Sequence, residues 1–151
     1  MFRTGSDEVA LLLLRMAGLA VALVHGWGKI VALSSGQAAS FVGAVAALGF
    51  PLPLVFAWAA ALSEFLGGLL VALGLKARIA AAFAAFTMAV AALAQHHALE
   101  RLLVAAGWRS VPEATLKSWG NPELALLYLL VFGVVILKGP GRLSLDGFLG
   151  R

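Results

Sequence analysis

A chain of 151 residues that is 62% hydrophobic and 12% charged, with a mean hydropathy of +1.00, is too small and too apolar to hide its surface from water. Its solvent is lipid, and membrane lipid is its first partner. The formal net charge of +4 is spread as single basic residues between apolar blocks, which suits anionic headgroups and argues against nucleic acid. The absence of cysteine removes disulfides, thiolate metal sites, iron–sulfur clusters and cysteine redox chemistry.

A hydrocarbon core about 30 Å thick is crossed by about 20 apolar residues in a helix, and a lone strand cannot satisfy its backbone there. Four stretches meet that requirement, over about 9–30, 54–75, 79–96 and 123–138. The expected fold is all-α, an integral membrane four-helix bundle forming one domain. Arg3 before the first run resembles the start of a signal peptide. Asp7, Glu8 and the lack of a convincing small-residue cleavage site favour a retained helix instead.

Between the first two spans, Phe41, Val42, Val45 and Leu48 recur at helical spacing. They suit a short helix in the membrane interface before Pro51 and Pro53 redirect the chain. The turn LKAR (75–78) is so short that the second and third spans form an antiparallel hairpin. A second interfacial helix is expected in 98–108. Pro122 and Glu123 open the last span with a first-turn proline and an acid near the positive helix end. With both termini cytoplasmic, Arg3, Lys76, Arg78, Lys138, Arg142 and Arg151 lie inside, against Lys29, Arg101, Arg109 and Lys117 outside. That modest bias follows the positive-inside rule, and all four tryptophans fall near the outer interface.

At about 100° per residue, Arg15, His25 and Lys29 share a sector of roughly 80° on the first helix, a polar face expected to look into the bundle. Glu64 shares its face with Ala57, Ala60, Ala61, Gly67 and Gly68, small residues that admit a close neighbour. An ionised group at mid-membrane costs about 2.5–3.5 kcal/mol on insertion scales, so Arg15 and Glu64 are expected to pair with each other, with His25 or a water completing the set. Such a pair serves equally as a register lock or as a functional group. Lys29 is expected to snorkel to the headgroups and Trp27 to anchor the helix. The glycines at 26 and 28 leave room for a neighbour or a ligand ring. His25, Lys29, Gln95, His96 and Glu123 converge on one outer pocket between helices.

The segments LVHGWGKI (23–30), SEFLGGLLVALGLKAR (63–78) and LKGPGRLSLDG (137–147), with Gly120 to Glu123, resemble the DoxX family of small four-helix inner-membrane proteins. The resemblance runs from Leu11 to about Asp146. It implies a bacterial or archaeal cytoplasmic membrane and an association with redox complexes, including thiosulfate:quinone oxidoreduction. On that reading the chain is a quinone-interacting subunit for ubiquinone or menaquinone. His25, Glu64 and Arg15 would carry the chemistry, and His25, Trp27, Lys29, Gln95, His96 and Glu123 would hold the ring. The chain shows no electron carrier, so electrons come from a partner oxidoreductase subunit, or from a haem bridged by His25 with His96 or His97. No metal site is expected, and self-association into a homo-oligomer stays open. The rival is a membrane scaffold docking an oxidoreductase; a small-solute transporter ranks lower, since no inverted repeat or broken helix is visible. In the tail, Gly139, Pro140 and Gly141 are expected to stop the last helix, Arg142 to meet headgroups and Asp146 to pair locally.

Overall fold

The structure is a computed structural model and describes residues 5–150. Arg3 and Arg151, counted above among the inner cations, lie outside the described residues. The chain forms α1 (Gly5–Ser34), α2 (Ala39–Ala47), α3 (Pro53–Leu73), α4 (Ala77–Gln95), α5 (Ala98–Ala105), α6 (Glu113–Ser118), α7 (Glu123–Lys138) and α8 (Leu145–Phe148). No strand occurs among the described residues. Helices α1, α3 and α4 are long and apolar enough to cross a membrane; α7, at 16 residues, is shorter.

Helices α1, α3, α4 and α7 follow one another around a shared core, with α4 packing most extensively on α7 and α7 returning to α1. The core is built on the alanine face of α4, including Ala77, Ala81 and Ala84, against Val71, Phe132 and Val135. Alanine there keeps helices close where lipid supplies no hydrophobic drive. The start of α1, the turn after α3 and the tail after α7 share one end, here the terminal end. The segments carrying α2, α5 and α6 share the other, here the connection end.

Glycines set the crossing of α1 and α3. A Cβ on Gly18 would lie 2.5 Å from Gly68 O, one on Gly68 would lie 2.5 Å from Gly18 O, and one on Gly26 would lie 2.5 Å from Phe65 N. The two backbones therefore touch at two levels. This fixes depth: Gly26 lies against Glu64, while Arg15, eleven residues earlier, lies about 16 Å nearer the terminal end.

The expected Arg15–Glu64 pair is accordingly not formed. Arg15, 1% exposed, donates from Nη2 to Leu143 O in the tail and faces the carboxylates of Asp146 and Glu8. The tail is also more than a helix stop. Asp146 Oδ1 and Oδ2 accept from the backbone N–H groups of Lys76 (2.9 Å) and Ala77 (3.1 Å), capping the first turn of α4 from a distant part of the chain. Asp146 N donates to Gly74 O at 2.9 Å, and Arg142 N donates to the Glu8 carboxylate. Gly74 is required twice over, by a φ of +69° and because a Cβ would overlap Arg15 Nη1 and Ser144. The interfacial segments form helices as expected at α2 and α5; α6 and α8 were not anticipated.

Candidate functional site

Each of the three membrane-length helices contains one π-helical turn: Val21–Gly26 in α1, Ser63–Gly67 in α3 and Ala91–Gln95 in α4. A π turn inserts a residue into the α ladder and often marks a functional position. The turns of α1 and α3 pack on each other, and together the three carry His25, Glu64 and Gln95.

Glu64, 3% exposed, accepts Lys29 Nζ on both oxygens, at 2.6 and 2.7 Å. The expectation that Lys29 snorkels away is thus replaced by an ion pair, since burying the carboxylate alone would be expensive. The ammonium also lies 5.1 Å from the Phe41 ring centroid of α2, at cation–π range.

Two cavities meet at this pair. The larger, about 510 Å³, is walled mainly by apolar groups, among them Phe41, Val45, Phe56, Phe83 and Phe86, with Lys29, Ser63, Glu64, Thr87, Gln95 and His96 as its polar residues. The smaller, about 210 Å³, is lined by His25, Asn121 and Tyr128 among others. Lys29, Glu64 and His96 line both, so they form the partition.

His96 Nδ1 donates to Trp119 O at 2.7 Å. The proton is thereby held on Nδ1, leaving Nε2 as the acceptor of the neutral ring. His25 meets Tyr128 edge to face, with centroids 6.0 Å apart. His97 stacks on Trp119 at 4.6 Å.

The structure therefore brings His25, Lys29, Glu64, Gln95 and His96 around one partition. It leaves three other candidates away from it. Arg15 belongs to the terminal end. Trp27 packs on Phe65 at 5.5 Å, is 52% exposed and lines neither cavity. Glu123 is exposed at the start of α7, where its N–H donates to Asn121 Oδ1 at 2.9 Å. Tyr128 and Asn121 were missed. The signal for Tyr128 was its being the only tyrosine, set inside an otherwise apolar helix.

The DoxX family model matches residues 10–97, more than half of the chain. The chain is also 27% identical over 143 residues to inner membrane protein YphA of Escherichia coli (strain K12), a match covering 91% of this chain and 89% of that protein. No solved structure matches it significantly. The matched segment carries every side chain of the partition, together with the glycines that bring α1 and α3 into contact. The chain belongs to the DoxX family and is a multi-pass protein of the inner membrane.

Proposed function

We propose that the partition between the two cavities binds the head group of a membrane-dissolved quinone, ubiquinone or menaquinone, and that the protein is the quinone-interacting subunit of a redox complex. The observation that carries this reading is the placement of one ion pair and one histidine between an apolar cavity and a polar one. At about 510 Å³ the apolar cavity falls within the roughly 300–1,000 Å³ typical of small-molecule sites.

A bound quinone supplies two-electron, two-proton chemistry at its ring carbonyls, with electrons from a partner oxidoreductase. The chain's own residues bind the ring and handle protons. Lys29 engages Glu64 through two of its three donors and keeps one for a carbonyl oxygen. His96 Nε2, left as an acceptor because Nδ1 donates to Trp119 O, suits the hydroxyl of the reduced quinol rather than the quinone carbonyl. Glu64 and His25 connect the partition to the polar cavity, where Tyr128 and Asn121 continue the chain of exchangeable groups. The quinone reading is favoured over haem because the space lined by both His25 and His96 is about 210 Å³, below the roughly 300–1,000 Å³ typical of small-molecule sites.

The reading includes a topology. Helix α7 is a fourth span, completing a four-helix bundle, and both termini are cytoplasmic. Lys76, Arg78, Lys138 and Arg142 at the terminal end support that orientation. A reporter active only in the cytoplasm, fused after Gly150, is expected to be active; activity of a periplasmic reporter there instead would reverse the topology.

Binding is tested with the purified protein in nanodiscs and a ubiquinone analogue. Native protein is expected to bind it, and Lys29→Met to weaken binding about tenfold or more. No binding by the native protein would favour the scaffold reading.

A further inference from the structure

We infer that the bilayer-facing side of α4 carries a tail-binding track continuous with the head-group cavity, so that the ligand enters sideways from the lipid and is a long-tailed polyprenyl amphiphile. This rests on the quinone reading and narrows it from a ring to a ring with a full-length tail.

Two independent observations lead there. The first is a closed end. Helix α2 packs on α3 and contributes Phe41 and Val45 to the cavity lining, and Leu48 and Phe50 follow just after it. Val45 belongs to the same buried cluster as Leu33 of α1 and Ala57 of α3, which seats α2 against both helices. A ligand arriving from water at the connection end meets that apolar cover.

The second is an open side. Phe83 and Phe86 line the cavity, yet each is 61% exposed on the outer surface of the bundle. Phe56 of α3, 37% exposed, lines the same cavity. The same two rings, Phe83 and Phe86, also line a second depression of about 460 Å³, which continues along α4 over Ala82 and Ile79 to Arg78. The cavity and this groove thus share a wall of two rings, and both are apolar on the side that faces lipid.

Dimensions agree with a long tail. From Ile79 to Gln95 the helix rises about 24 Å, most of a hydrocarbon core of about 30 Å. A head group at Lys29, Glu64 and His96 therefore sits at one end of a track that runs nearly the depth of the membrane. A bilayer phospholipid anchored by its phosphate on Arg78 is the competing occupant. Against it, the Arg78 guanidinium is turned onto the tail after α7: a Cβ on Gly139 would lie 3.2 Å from Nε and 3.3 Å from Nη2. The shared Phe83 and Phe86 rings instead tie the groove to the head-group cavity.

The test compares a ubiquinone carrying a single isoprene unit with one carrying a full polyprenyl tail. Both are titrated into nanodiscs holding the full chain, with affinity expressed as mole fraction in the bilayer so that partitioning cancels. The long homologue is expected to bind at least about tenfold tighter, because its tail gains van der Waals packing against the fixed side chains of the groove that fluid lipid does not give. Ala82 lines the groove and not the cavity, and is exposed. Ala82→Trp fills the groove and is expected to abolish the gain while leaving the short homologue's affinity within about twofold. Equal affinities for the two homologues, or a gain untouched by Ala82→Trp, would overturn the track while the quinone reading stands. Failure of both homologues to bind native protein would overturn both.

Discussion

Both ends of this bundle bury charge, and they use it in opposite ways. At the terminal end the charged side chains are engaged by backbone: Asp146 by two N–H groups of α4, Glu8 by Arg142 N, and Arg15 by Leu143 O. The tail after α7 is thereby tied to α1 and to the α3–α4 turn. At the connection end Lys29 and Glu64 meet each other, and the same two side chains border two cavities. A charge enclosed by backbone holds a fold together. A charge facing space is available to a ligand. The contrast between these two ends carries the functional assignment.

The largest effects are expected where the terminal end is sterically closed. Gly74→Val puts a branched side chain at positive φ and into the Arg15 guanidinium, and should abolish monodisperse protein on size exclusion in detergent. Arg15→Met should come next. It leaves the carboxylates of Glu8 and Asp146 without their shared cation, a loss on the order of 3–5 kcal/mol for breaking a buried charge cluster, read by reversible unfolding in mixed micelles. Adding Asp146→Asn to that variant should recover part of the loss. Asp146→Ala alone should cost about 0.5–2 kcal/mol for the lost cap, more where the Arg15 charge is left under-compensated.

The helices themselves were legible. Their ends fall within a few residues of the apolar runs, because hydropathy and backbone satisfaction in lipid leave few alternatives: α1 covers the first run, and α3, α4 and α7 follow the other three. The pairing of charges was not. Depth within one helix is readable from spacing, but the offset between helices is set by where Gly18 meets Gly68 and Gly26 meets Phe65, which no single helix reveals. A uniform step of 100° per residue also fails through Val21–Gly26, where the π turn widens the pitch and changes which residues share a face. Lys29 was therefore read as a snorkelling residue and Arg15 as the partner of Glu64. Asp146 shows the same limit, since its acceptors serve backbone groups 69 and 70 residues away.

At the connection end smaller effects on stability are expected, and this sharpens the contrast. His25→Ala should change stability by less than about 1 kcal/mol, as for a side chain bordering a cavity, while weakening binding of a quinone analogue several-fold. Equal losses of stability and binding would instead class His25 with the terminal end.

The most direct measurement replaces both charges of the partition at once. In Lys29→Met with Glu64→Leu, the part-buried pair is exchanged for apolar groups of similar size, a change that is often neutral or stabilising. The double variant is expected to unfold like native protein yet lose binding of the ubiquinone analogue by tenfold or more. A stable double variant that binds the analogue as tightly as the native chain would contradict the assignment of the partition as a ligand site.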